Sequence, residues 1–124
     1  MSEKIIKSLF DLRIWVKAKD LAILIYRLTK KFPSSELFGL VSQIQRAAIS
    51  VAANIAEGYY RQSTKELIQF LVVAKGSAGE LISHLFISEN LGYISKEDRD
   101  MLIEEYEGLI ISINSLIKSL SSKK

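Results

Sequence analysis

Apolar residues recur at three- and four-residue intervals along four stretches of this chain, separated by short breaks rich in serine, proline or glycine. In the first stretch Trp15, Ala18, Ala22, Ile25 and Thr29 make one stripe and Ile14, Leu21 and Leu28 a second beside it. The spacing predicts a helix from about Asp11 to Phe32, ended by Pro33, because proline pushes the residue before it out of the helical region. A second helix is expected from about Ser35 to Tyr60, with Ser34 or Ser35 as cap and Glu36 in the first turn. Ser63-Thr64-Lys65-Glu66 reads as a capping box, which starts a third helix running to Leu91, with Gly92 as its C-terminal cap. The fourth opens at Ser95 and keeps a bundle seam through Leu102, Tyr106, Leu109, Ile113, Leu116 and Leu120, before a short polar tail from Ser121 to Lys124. Four helices, short connections and no strand pattern predict an all-α, antiparallel up-down-up-down four-helix bundle in a single domain over residues 1–124. The helices fall at about 11–32, 35–60, 64–91 and 95–120.

The polar faces differ from helix to helix. Helices 1 and 4 carry charge on the side away from their apolar stripes. On helix 2, Val41, Ile44, Ala48, Val51, Ala52 and Ile55 lie opposite a stripe of Gln43, Arg46, Ser50, Asn54 and Glu57 that leads to Gly58. From Leu37 to Ala56 the only charge is Arg46, and from Leu67 to Ser88 the only charges are Lys75 and Glu80. Solvated faces use lysine and glutamate freely, whereas an interface tolerates neutral polar groups better than unpaired charge. The stripe and Gly58 are therefore expected to form an oligomer interface or a structural signature. Gly76 and Gly79, inside helix 3, each cost about 1 kcal/mol against alanine, which predicts a close backbone approach there.

Composition strengthens the expectation of self-association. The 124 residues are 48% hydrophobic and 25% charged, on the apolar side for a chain of this size. Formal net charge is +3, but residues 1–75 hold 12 Lys/Arg against 6 Asp/Glu, and residues 76–124 hold 5 against 8. Unlike halves suit head-to-tail contact around a closed ring. With no cysteine there is no disulfide or thiolate metal site, which fits a cytoplasmic protein without requiring it. The N-terminus lacks the apolar segment of a signal peptide. The longest apolar candidate, Leu37 to Ala56, is broken by six polar residues, so no membrane span is expected.

Candidate chemistry is sparse. The single histidine, His84, stands one turn after Glu80, but a di-iron bundle needs repeated Glu-x-x-His sets, and these are missing. No Ser/His/Asp set or phosphate-cradling glycine loop is present, and nothing places Glu57 and Glu80 about a substrate. No enzyme, cofactor or metal is expected. Nucleic-acid binding stays open: Arg13, Lys17, Lys19, Arg27, Lys30 and Lys31 could meet phosphates, and Tyr60 and Arg61 could stack on bases. Binding to another protein, with the basic face merely tolerated, is equally compatible with these residues.

One longer pattern joins these features. It runs Asp11-Leu12, Trp15, Ala18, Tyr26, Thr29, Phe32-Pro33, Glu36, Gly39-Leu40, Gln43-Ile44, Arg46-Ala47-Ala48, Ser50 and Asn54-Ile55-Ala56-Glu57-Gly58. It continues through Glu66, Phe70-Leu71, Ala74, Gly76-Ser77, Glu80-Leu81 and Leu91-Gly92-Tyr93-Ile94. This pattern is similar to the four-helix-bundle proteins encoded in intervening sequences of bacterial 23S ribosomal RNA genes, over about Asp11 to Leu120. The resemblance implies a ring-shaped homopentamer with no known catalytic activity. It also implies kinship in fold with the accessory protein of diversity-generating retroelements, which binds nucleic acid and a reverse transcriptase. RNA or DNA and a protein partner are thus the partners it implies. Gly79 departs from the family pattern, where a larger residue is expected.

Overall fold

In the computed structural model, which describes residues 9–122, four α-helices follow one another: α1 (Arg13–Thr29), α2 (Leu40–Tyr59), α3 (Thr64–Asn90) and α4 (Lys96–Ser121). Single 3-10 turns at Leu9–Asp11 and Ser34–Glu36 precede α1 and α2, and the described residues contain no strand. Lys4, Lys7 and the end of the expected polar tail, Lys123-Lys124, lie outside them.

Local signals account for most helix ends. Ser63 Oγ accepts from the Glu66 N–H (3.1 Å) and Ser95 Oγ from the Asp98 N–H (3.0 Å), satisfying donors that the first turns of α3 and α4 leave open. At the end of α3, Gly92 adopts φ +82°, and the Gly92 and Tyr93 N–H groups donate back to Glu89 and Ser88 (both 2.9 Å). This left-handed cap favours glycine and reverses the chain in a few residues.

Two boundaries differ from the sequence expectation. Helix α1 ends at Thr29 rather than Phe32. The buried Thr29 hydroxyl donates to Ile25 O (2.9 Å) and accepts from Gln45 Nε2 (3.1 Å), while Phe32 turns inward against the Tyr93 ring at 5.3 Å. Helix α2 starts at Leu40, not Ser35, and neither Ser34 nor Ser35 caps it. Instead Glu36 Oε1 accepts from the Leu40 N–H (3.1 Å), and Glu36 Oε2 accepts from the Tyr93 hydroxyl (3.0 Å). That bond places the α1–α2 and α3–α4 connections at the same end of the molecule.

The core runs between all four helices: Ala18 and Ile25 from α1, Ile44, Val51 and Ile55 from α2, Leu71, Ala78, Leu81 and Leu85 from α3, and Leu102, Tyr106 and Ile113 from α4. Each large side chain buried here contributes about 1.5–3 kcal/mol relative to exposure. Among the four neighbouring helix pairs, α2–α3 is the most extensive and α1–α4 the least. Alanines explain the first: Ala47, Ala48, Ala74 and Ala78 are buried and let these two helices approach closely.

The glycines correct an expectation. A Cβ at Gly76 or Gly79 would meet nothing within 4 Å, so no close approach inside the subunit compensates them. The close approach is at Gly58, which is not a turn residue but lies buried in the last turn of α2. A Cβ there would sit 2.9 Å from Phe70 Cβ and 3.0 Å from Leu67 Cδ1. Among the described residues, α3 is also the helix long and apolar enough to cross a bilayer, a property it shares with core helices of bundles.

Candidate interaction surfaces

The polar stripe of α2 meets a matching stripe on α3. Arg46 donates to Glu80 Oε2 (2.7 Å) across the helix pair and to Gln43 Oε1 (2.9 Å) along its own helix. Ser50 and Ser77 share a hydroxyl bond of 2.8 Å, and Asn54 Nδ2 donates to Ser50 O (2.8 Å) and Oγ (3.0 Å). His84 Nε2 stands 3.2 Å from Glu80 Oε2, and its Nδ1 is buried without a hydrogen-bond partner. The hydrogen bond from His84 holds the Glu80 carboxyl below its ordinary range, helped by the Arg46 charge and opposed by partial burial. Gln43, Arg46, Ser50 and Asn54 thus form a seam with Ser77, Glu80 and His84 within one subunit, and Gln43 and Arg46 remain exposed at its edge. The sequence stripe held α2 residues alone and left out Ser77, Glu80 and His84, although these recur at helical spacing along α3.

Glu57 continues the stripe differently. It accepts from Arg61 (2.7 Å), and the Arg61 guanidinium also lies 3.8 Å from Glu66 and 4.9 Å from the centre of the Phe70 ring. Arg61 is therefore a clamp between the end of α2 and the start of α3. Tyr60 is exposed, edge-on to Tyr59 at 4.7 Å.

The basic residues of α1 do not form one surface. Lys17 pairs with Glu105, and Arg13 lines a groove of about 380 Å³ between α1 and α4 whose other wall carries Glu104 and Glu105. Lys19 pairs with Asp20 at 3.0 Å. Arg27, Lys30 and Lys31 have no acidic partner among the described residues. Arg27, Lys30 and Lys19 border a second groove of about 580 Å³ between α1 and α2, floored by Ala22, Ala52 and Ala53 and walled by Ile23, Tyr26 and Ile49.

The outer face of α3 is apolar. Val72, Val73, Phe86 and Ile87 are exposed there together with Gly76, Gly79 and Ser83, with no charge among them. At its end Arg99, only 17% exposed, pairs with Glu89 (2.8 Å) and lies 4.8 Å above the Phe86 ring. Among the described residues Tyr106 is deeply buried with no hydrogen-bond partner for its hydroxyl, and burial pushes its pKa well above the usual tyrosine range. Among the described residues no three His, Asp or Glu side chains gather as metal ligands.

Comparisons with known proteins agree with this architecture. A crystal structure of a protein with unknown function from the S23 ribosomal protein family of Bacteroides thetaiotaomicron VPI-5482 is similar, with a TM-score of 0.81 and 27% identity. The similarity covers 87% of this chain and 97% of that one. No curated protein matches the chain. The family description that matches is "23S rRNA-intervening sequence protein", over residues 10–115. With most of its length matched and the four-helix architecture in place, the chain belongs to the 23S rRNA-intervening sequence protein family.

Proposed function

We propose that the protein is a non-enzymatic, cytoplasmic assembly subunit that self-associates through its apolar outer surfaces, with a homopentamer as the assembly the family resemblance implies. The observation that carries this reading is the outer face of α3, where Val72, Val73, Phe86 and Ile87 stand exposed together with Gly76, Gly79 and Ser83, with Lys75 and the Arg99 guanidinium at its margin. Contiguous exposed apolar surface marks a contact site rather than a solvated face. The carboxylates support a non-catalytic role: Glu57 is taken up by Arg61, and Glu80 by Arg46 and His84. Sedimentation at micromolar concentration is expected to give a multiple of the chain mass, and a monomer there would overturn the proposal.

A second reading rests on Arg27, Lys30 and Lys31, cations at the end of α1 with no acidic partner among the described residues. They favour contact with the phosphates of structured RNA or other nucleic acid, multiplied by the copies in an assembly. Labelled RNA titrated at two salt concentrations tests it. Binding should weaken steeply as salt rises, and no binding even at low salt would leave protein contact as the sole role.

A further inference from the structure

Two surfaces on different sides of the subunit carry opposite unpaired charge. The groove between α1 and α2 has a floor of small side chains, Ala22, Ala52 and Ala53, so it is open to large apolar groups from outside. Along its α1 edge run Lys19, Arg27 and Lys30, of which Arg27 and Lys30 have no acidic partner among the described residues. At 1.5 Å of rise per residue these cations span about 16 Å.

The outer ridge of α4 has the opposite character. Glu97, Glu104 and Glu107 are exposed and have no basic partner within ion-pair distance among the described residues. By the same rise they span about 15 Å. Between and beyond them project Met101, 41% exposed, and Ile111, 66% exposed. Gly108 lies on the same ridge, and a Cβ there would meet nothing within 4 Å. These five side chains share one face at helical spacing, opposite the buried Leu102, Tyr106, Leu109 and Ile113.

We infer that the basic-edged groove between α1 and α2 receives the acid-edged outer ridge of α4 from a second copy of the chain. The joint rests on the self-association proposed above and adds to it a contact separate from the α3 face. Met101 and Ile111 enter over the alanine floor, and Glu97, Glu104 and Glu107 lie along the Lys19–Lys30 edge. Groove and ridge are different surfaces, so the contact is head-to-tail, and each subunit has one of each to offer. The charge match selects α4 over the uncharged face of α3 as occupant of this groove, because like or absent charge gives no register to the contact.

Charge reversal in the full chain tests it. One variant carries Arg27→Glu and Lys30→Glu, the other Glu104→Lys and Glu107→Lys. All four positions are exposed, so helix content by circular dichroism should stay at the parent level. Each variant alone is expected to associate at least about tenfold more weakly than the parent, because like charges then face each other across the joint. Combining all four substitutions in one chain restores association, since the acidic groove of each copy then meets the basic ridge of the next. Ala53→Trp, which fills the groove without touching a charge, should weaken association as well. If the parent is monomeric, the self-association reading itself falls. If the parent assembles and both reversed variants assemble equally well, self-association stands and this joint is overturned.

Discussion

The two sides of α3 are opposite in character to what an isolated amphipathic helix would show. Toward α2, α3 brings Ser77 and Glu80 into hydrogen bonds with Ser50 and Arg46, His84 bonds Glu80 along α3, and Ala74 and Ala78 are buried beneath them. Toward the outside it turns Val72, Val73, Phe86 and Ile87. The glycines follow the same division: Gly58 of α2 is pressed onto Phe70 and Leu67, whereas Gly76 and Gly79 face open space. Polarity on this helix marks where a partner helix already satisfies it, and apolar surface marks where the subunit offers no partner. That is the pattern of a helix placed between two contacts, one inside the subunit and one beyond it.

The largest effect is expected on the closed side. Gly58→Ala puts a methyl group 2.9 Å from Phe70 Cβ, a backbone-anchored atom that cannot swing away, and 3.3 Å from Leu67 O. Overpacking of this kind costs about 2 kcal/mol. At about 4 °C per kcal/mol for a chain of this size, thermal unfolding followed by circular dichroism should move down by about 8 °C. The open side should answer in association instead. Val73→Lys replaces an exposed apolar group by a charge, so unfolding of the dilute subunit should hardly change, while association weakens about tenfold or more. Light scattering over a concentration series reads this directly, and an unchanged mass would show that the α3 face is solvated. Gly79→Ala comes next: with nothing near the added methyl it should raise subunit stability by up to about 1 kcal/mol, opposite in sign to Gly58→Ala. Shifts of the same sign at the two glycines would break the comparison between the two sides.

The helices, the starts of α3 and α4 at Ser63 and Ser95, and the Gly92 turn were legible in the sequence because each depends on residues within one turn of one another. So was the α2 stripe, from 100° periodicity alone. The start of α2 was not legible, because its cap is Glu36, held in place by Tyr93 from 57 residues further on. The packing role of Gly58 inside the subunit was not legible either, since nothing nearby announces that Phe70 comes down upon it. The basic residues of α1 look like one field in the sequence, yet Glu105 from α4 takes up Lys17 and Asp20 takes up Lys19. Charge totals give the sum of a surface; only the packing of α4 beside α1 decides which cations remain.

The smallest effect concerns the charge at the edge of the seam. Glu80 is held below the ordinary carboxyl value of 4.5, first by the hydrogen bond with His84 and then by Arg46. A carboxyl whose pKa is lower folded than unfolded stabilises the fold above its unfolded value and loses that contribution as pH falls through the folded value. Glu80 is 38% exposed in its side chain, so water screens the pair, and its contribution at neutral pH is about 0.5 kcal/mol or less. Glu80→Gln should therefore unfold at a slightly lower urea concentration than the parent near pH 7. The difference should close in acid, as pH falls through the folded carboxyl's lowered value, because the parent carboxyl is then protonated and Gln is its isostere. A deficit of equal size at both pH values would mean that glutamate's shape, not its charge, serves the seam, and the electrostatic part of the contrast between the two sides of α3 would go with it.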